Sequence, residues 1–157
     1  MTAVRVRELQ PADVPVFLDL VDALAEYERL PAPNAEARQR LAADASMTPP
    51  RFHVLLAELD GEPVGYAVWF LTYSTFLARP SLYLEDLFVR PEARGHSAGK
   101  ALFRACAREA LRLDCGRMEW QVLTWNAPAI EFYQRLGARP LDAWQSFRLD
   151  RAALANV

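Results

Sequence analysis

A turn with two glycines joins a strand-like apolar run to a long amphipathic segment. It reads Arg94-Gly95-His96-Ser97-Ala98-Gly99-Lys100. Backbone N–H groups at the start of a helix have no partner within the helix and lie at the positive end of its dipole. Such a turn is therefore suited to binding an anion, above all a phosphate. The alternative is an ordinary capped helix start that binds nothing.

Two common nucleotide motifs do not fit this turn. Gly95 and Gly99 are one residue too close together for a P-loop, and Ala101 stands where a hydroxyl would hold Mg²⁺. The dinucleotide fingerprint G-x-G-x-x-G is missing at this turn. Neither a P-loop nor a dinucleotide site is therefore predicted here.

Glu85 is the second candidate for chemistry, because it is a carboxylate within an apolar run. Period-two alternation predicts that it shares one strand face with Tyr83, Leu87 and Val89, and that Asp86 points to the other face. A carboxylate in such a row can accept a proton from a cationic amine. The alternative is a solvated residue at a strand edge.

Length and composition limit the class of protein that this sequence can encode. The chain has 157 residues, of which 52% are hydrophobic and 24% charged, with a formal net charge of −2. One globular domain over residues 1–157 is expected, without the positive field that nucleic acid or anionic lipid requires. Two cysteines with no zinc-type spacing, no signal-peptide pattern and no membrane-length apolar run predict a cytoplasmic protein without a metal site.

The pattern of apolar residues predicts a mixed α/β domain with the element order β-α-α-β-β-β-α-β-α-β. Asp60-Gly61 marks a hairpin between two strands. Strands are predicted over residues 4–7, 52–59, 64–73, 82–89, 117–124 and 143–149. Helices are predicted over 13–30, 34–45 and 126–137, and a further helix is predicted to follow the turn that ends at Lys100 and to run to about Leu113.

Three stretches in this order resemble the GNAT N-acetyltransferases. The turn Arg94–Gly99 is similar to their pyrophosphate loop, R/Q-x-x-G-x-G/A, with Ser97 at the position of the first glycine. Tyr83-Leu84-Glu85-Asp86-Leu87-Phe88-Val89 resembles their fourth strand. The segment from Trp125 to Ala138 resembles their closing motif, N-x-x-A-x-x-F-Y-x-x-x-G-F/A. The resemblance implies the GNAT fold, a mostly antiparallel central sheet flanked by helices.

The resemblance also implies acetyl-CoA as co-substrate. Its pyrophosphate is expected on the N–H groups of the glycine turn, and its pantetheine arm beside the fourth strand, where one N–H would face the acetyl carbonyl. Asn126 matches the family asparagine that binds pantetheine, although it can cap the following helix as well. The implied acetyl-CoA residues are Leu87, Phe88, Val89, Arg94, Gly95, His96, Ser97, Ala98, Gly99, Lys100, Asn126, Ala127, Pro128 and Ala129.

Tyr133 matches the family's general acid, which protonates the leaving thiolate; the alternative is a core aromatic residue. Glu85 is the expected base. Further motifs are similar to the diamine (spermidine/spermine) and thialysine acetyltransferase branch, although Ser74 and Phe76 replace the acid and the tryptophan of that branch. Amine-binding residues are expected at Tyr27, Glu28, Asp86, Glu119, Gln121 and Asp142.

The sequence therefore predicts an acetyl-CoA-dependent N-acetyltransferase that acts on a small primary amine by direct attack, and that forms a homodimer. Two alternatives remain open. One is acetylation of a protein or peptide amine. The other is a non-catalytic domain that binds acyl-CoA as a sensor, in which Ser97 marks decay of the cofactor site.

Overall fold

A five-stranded mixed sheet organises the N-terminal part of the chain in a computed structural model that describes residues 3–157. Neighbouring strands are antiparallel, except that the last two are parallel, which confirms the predicted mixed sheet. In sheet order the strands are β1 (Val4–Glu8), β2 (His53–Leu59), β3 (Glu62–Ser74), β4 (Arg79–Val89) and β5 (Arg117–Glu119).

Within residues 3–157, five α-helices accompany this sheet. Asn34 caps the second of them as predicted, since its side chain accepts a hydrogen bond of 2.9 Å from the N–H of Ala37. The first ends at Arg29, whose left-handed φ of 59° stops the helical repeat. The helices are α1 (Val14–Glu28), α2 (Ala35–Ala45), α3 (Ala98–Arg112), α4 (Ala127–Arg135) and α5 (Arg151–Leu154).

The chain divides into two compact units. The described residues up to Gln121 form the first, which contains the sheet with α1, α2 and α3, and Val122–Val157 form the second, with α4 and α5. No helix within residues 3–157 has both the length and the apolar composition needed to cross a membrane.

Alternation along the strands of the first unit divides its core into two layers. Phe17 of α1, Leu56 of β2 and Tyr66 of β3 are fully buried in one cluster. Leu82 of β4 and Leu102 of α3 are fully buried in the other. The sheet therefore has α1 on one face and α3 on the opposite face, as period-two strands with two buried faces require.

A β-bulge in β4 overturns the predicted faces of that strand. Asp86 lies opposite Val68 and Leu84 opposite Trp69, so Glu85 is one extra residue without a partner on β3. Before the bulge, even-numbered residues such as Leu84 pack against α3; after it, odd-numbered ones such as Leu87 do so. The single face predicted for Tyr83, Glu85, Leu87 and Val89 is therefore wrong.

Two predicted strands also differ from the structure. The strand predicted over residues 117–124 ends at Glu119, and that predicted over 143–149 does not form. In the latter segment Trp144 is 76% exposed and Phe147 91% exposed. Alternating apolar residues make a strand only where a neighbouring strand and a covered face receive them, and this segment has neither a strand partner nor buried side chains.

Candidate active site

The end of α1 meets the second half of β4 and the turn that follows it. The ring of Tyr27 lies 6.2 Å from that of Phe88, measured between centroids. The guanidinium carbon of Arg94 lies 4.5 Å from the centre of the Tyr27 ring. Cation–π contact of this kind holds the turn against the helix. Three residues predicted from separate motifs are thus brought together.

The edge of β4 that faces β5 is paired along only part of its length. β4 pairs with β5 only from Ser81 to Tyr83, whereas its pairing with β3 continues to Val89. Within residues 3–157, no strand pairs with the β5-facing edge of β4 beyond Tyr83. An extended, amide-containing ligand can add to such an edge in the manner of a further strand. Leu87, Phe88 and Val89 lie on this stretch.

The glycine turn begins directly after β4. Arg94 Nε donates a hydrogen bond of 3.2 Å to the carbonyl of Val89, and a His96 ring nitrogen lies 3.1 Å from the carbonyl oxygen of Arg94. Gly95 has a φ of 85° and Ser97 a φ of 65°, both in the left-handed region. For Ser97 that conformation costs about 1–2 kcal/mol, and its hydroxyl does not cap α3 in compensation.

Space above the first turn of α3 is open. A Cβ built on Gly95 would meet nothing within 4 Å, and one built on Gly99 would meet only Val89 Cγ2, at 3.8 Å. Ala98 is buried and anchors the turn, whereas Lys100 is exposed. The free N–H groups of this helix start, with the adjacent lysine, therefore fit a phosphate group.

Three carboxylates surround the end of α1 and the bulge in β4. Asp86 is half-buried, and its Oδ2 accepts a hydrogen bond of 3.0 Å from the hydroxyl of Tyr66. Burial raises the pKa of Asp86 to about 6; the charges of Glu85 and Glu28 also raise it, and the Tyr66 hydrogen bond opposes the rise. Asp86 is therefore a weaker acid than an ordinary aspartate.

The two other carboxylates differ in exposure. Glu28, at the end of α1, is half-buried, and burial raises its pKa. Glu85 is exposed at the bulge. Together with Asp86 they form a negatively charged surface beside the unpaired edge of β4, which favours a cationic ligand.

Tyr66 is the functional candidate that the sequence analysis missed. Its side chain is fully buried in the α1 cluster, and burial together with Asp86 raises its pKa strongly, so that its hydroxyl stays protonated. In the sequence it is one aromatic residue in an apolar strand, which is typical of a core position. Only the pairing of β3 with β4 shows that its hydroxyl reaches Asp86.

Two of the predicted amine-binding residues, Glu119 and Gln121, lie on β5 and just after it. Glu119 forms an ion pair of 2.8 Å with Arg117, and its charge contributes to a raised pKa at Tyr83, for which burial is the main cause. Gln121 is exposed. Their predicted contact with an amine stays a prediction.

The second unit contains the other predicted residues. Asn126 is buried, and its side-chain oxygen caps α4 by accepting a hydrogen bond of 3.4 Å from the N–H of Ala129. Ala127 and Pro128 are exposed in the first turn of that helix, and Asp142 is exposed beyond it. Tyr133 is half-buried on α4, with its ring 5.3 Å from that of Phe132 between centroids.

Within residues 3–157, no three His, Cys, Asp or Glu side chains are close enough together to hold a metal ion. The features gathered in the first unit are the glycine turn, the edge of β4 beyond Tyr83 and the three carboxylates, and they form the candidate site.

The chain as a whole is similar to known proteins. The model of the acetyltransferase (GNAT) family matches residues 17–138. Thialysine N-epsilon-acetyltransferase of Sus scrofa is 37% identical over 100% of this chain and 98% of that protein. L-ornithine N5-acetyltransferase of Arabidopsis thaliana is 41% identical over 59% of this chain and 41% of that protein.

Solved structures share the fold. An integron cassette protein from the mobile metagenome of V. cholerae superposes with a TM-score of 0.76 at 23% identity, covering 98% of this chain and 96% of its own. At this identity the likeness shows the fold alone, and the predicted GNAT fold is confirmed.

The raised pKa of Asp86 predicts a pH-dependent effect of Asp86→Asn on stability. The folded protein holds the proton up to about pH 6 and the unfolded chain only up to its ordinary value of 3.8. Native stability is therefore lost as the pH rises through this window. We expect Asp86→Asn to raise the unfolding free energy by up to about 3 kcal/mol at pH 8 and to have little effect at pH 4.

Urea unfolding at pH 4, 6 and 8 measures this difference. Glu92→Gln is the matched control, because Glu92 is exposed and its charge is not among those that shift the pKa of Asp86. A stability difference for Asp86→Asn that is the same at all three pH values would contradict the prediction.

Proposed function

Because the chain belongs to the acetyltransferase (GNAT) family, we propose that it transfers the acetyl group of acetyl-CoA to a small primary amine of the diamine or thialysine type. One observation carries the choice of acceptor. Glu28, Glu85 and Asp86 form a negatively charged surface beside the edge of β4 that no described strand covers. Such a surface attracts an ammonium group and disfavours an anionic acceptor.

The glycine turn and β4 supply the residues that would hold acetyl-CoA. The N–H groups from Gly95 to Lys100 bind the pyrophosphate, and the open space above Gly99 supports this assignment. The backbone of Leu87, Phe88 and Val89 pairs with the amide-containing arm. The thioester supplies an acetyl group activated for attack, and one N–H of this stretch stabilises the oxyanion that develops on its carbonyl.

Tyr133 is the proposed general acid, which gives its hydroxyl proton to the leaving thiolate. Asn126, in the same unit, binds the pantetheine arm in addition to capping α4. Ala127, Pro128 and Ala129, in the first turn of α4, complete this part of the site.

The acceptor must lose a proton before it can attack. A lysine-like ammonium has a pKa of about 10.4, so that freeing its lone pair at pH 7 costs about 4–5 kcal/mol. A carboxylate beside the attack site reduces this cost, and Glu85 is the residue that the sequence predicts for it.

Two departures from the branch pattern favour a short acceptor over a long polyamine. Ser74 stands where the resembled branch has an acid; it is buried, and its hydroxyl accepts a hydrogen bond of 3.2 Å from the N–H of Leu77 in the β3–β4 turn. Phe76 stands where that branch has a tryptophan and is fully solvent-exposed. The homodimer and the cytoplasmic location expected from the sequence stay predictions.

Acetyl-CoA binding at the glycine turn is tested with Gly99→Val. The branched side chain would cover the first N–H groups of α3, so we expect the Kd for CoA to rise by at least about tenfold. The melting temperature should change little, because a Cβ at Gly99 meets only Val89 Cγ2, at ordinary contact distance. Calorimetric titration measures the Kd.

Gly99→Ala is the matched control, and we expect it to keep the native Kd within a few-fold. Turnover is measured in parallel against diamines, thialysine, amino acids and peptides. A native protein that binds no CoA, or that acetylates none of the small amines, would contradict the proposed function.

Tyr133→Phe tests the general acid. The substitution keeps the ring and its contact with Phe132 but removes the proton donor, so we expect kcat to fall by about 10²–10⁴-fold. Tyr73→Phe removes a hydroxyl from an exposed tyrosine of β3 and serves as the control. Unchanged single-turnover rates in Tyr133→Phe would leave Tyr133 with a structural role only.

A further inference from the structure

The bulge in β4 gives two adjacent carboxylates different environments. Glu85 is the extra residue and is exposed, whereas Asp86 pairs with Val68 and is half-buried. An exposed carboxylate is hydrated and moves freely among its rotamers. A half-buried one that is hydrogen-bonded has a fixed position, which proton transfer requires.

Tyr66 fixes that position. Its hydroxyl donates to Asp86 Oδ2 over 3.0 Å. Its fully buried ring makes an edge contact with Phe17 at 5.5 Å and packs against Phe88 at 6.4 Å, both measured between centroids. Among the described residues only Tyr66 donates a hydrogen bond to Asp86, which leaves Oδ1 for an incoming ammonium group.

We propose that Asp86 accepts the proton of the bound amine, and that Tyr66 is the positioning residue that holds the Asp86 carboxylate for this step. The inference rests on the proposed function and assigns the base role to Asp86 in place of Glu85. Glu85 and Glu28 then act as the charges that attract the cation.

The electrostatic surroundings support this assignment. The groups that act on Asp86 are the Tyr66 hydroxyl on β3, the neighbouring Glu85 and Glu28 at the end of α1. Burial and the two negative charges raise the pKa of Asp86 to about 6, from 3.8. Two pKa units make proton transfer from a given ammonium about 100-fold more favourable than transfer to an ordinary aspartate.

The proton and electron balance of the step is simple. The ammonium N–H bond breaks and an O–H bond forms at Asp86 Oδ1, which leaves a neutral amine and a neutral carboxylic acid. The amine nitrogen then bonds to the thioester carbonyl carbon, and the C–S bond breaks. The sulfur gains a proton from Tyr133, the nitrogen loses its second proton to restore that tyrosine, and Asp86 returns its proton to solvent.

Tyr66→Phe gives this inference a signature that a merely structural role would not produce. The Tyr66 hydrogen bond lowers the pKa of Asp86, so its removal should raise that pKa. We expect the acidic limb of the profile of kcat/KM against pH to move up by about one pH unit. The value of kcat/KM at pH 5 should then fall by about tenfold more than its value on the high-pH plateau.

Glu85→Gln should move the same limb in the opposite direction, because removal of a negative charge lowers the pKa of Asp86. Asp86→Asn should abolish the limb. Tyr83→Phe is the matched control: it removes a hydroxyl from β4, and Tyr83 is not among the groups that act on Asp86, so its limb should coincide with that of the native enzyme.

The experiment compares these profiles with one amine acceptor, so that the titration of the acceptor is the same for every variant. Melting temperatures confirm that each variant is folded. An active native enzyme with an unmoved limb in Tyr66→Phe, or a limb that disappears in Glu85→Gln, would overturn the inference and leave the proposed function intact. A native enzyme inactive with every amine would overturn both.

Discussion

The insertion of one residue into β4 determines the geometry of the candidate site. If the strand were regular, Glu85 would pair with β3 and Asp86 would share a face with Leu84 and Leu82, against α3. The bulge at Glu85 instead turns Asp86 toward Tyr66 and α1, and it allows Leu87 and Val89 to resume the packing against α3. A bulge next to a functional site is a common device for redirecting side chains while the rest of the sheet stays paired.

Opposing forces then act on Asp86. A hydrogen bond to a charged group is worth about 1.5–3 kcal/mol, and the Tyr66 hydroxyl supplies one that favours the ionised form. Burial and the charges of Glu85 and Glu28 act in the other direction, and together they are stronger, because the pKa rises to about 6. The site thus keeps a carboxylate that is ionised at pH 7 yet binds a proton more readily than a free aspartate does. This is the property that a proton acceptor at neutral pH needs.

Much of the fold follows from the sequence, because its signals are local. The Asn34 cap and the helix after the glycine turn form where the patterns predict them, and both are confirmed. The family resemblance depends on motif order, and the match over residues 17–138 confirms it. The departures arise where structure depends on distant partners: the segment 143–149 has strand-like alternation, but no neighbouring strand pairs with it among the described residues.

In the candidate site, too, some residues have local sequence signals and others depend on distant partners. Residue types and motif order predicted the glycine turn, Tyr27, Glu28 and the Glu85–Asp86 pair as parts of the site. They did not identify Tyr66, because its role comes from the β3–β4 register and not from its own neighbours in the chain. The predicted faces of β4 were wrong for a related reason. A bulge is one inserted residue, and period-two alternation contains no signal for it.

The raised pKa of Asp86, the carboxylate that the bulge turns toward Tyr66, can be measured directly. Carbon-13 NMR of the aspartate carboxyl groups, assigned by comparison with Asp86→Asn, reports the titration of each one in the unliganded protein. We expect one resonance, that of Asp86, to titrate near pH 6. A titration of Asp86 near 3.8, the ordinary aspartate value, would contradict it.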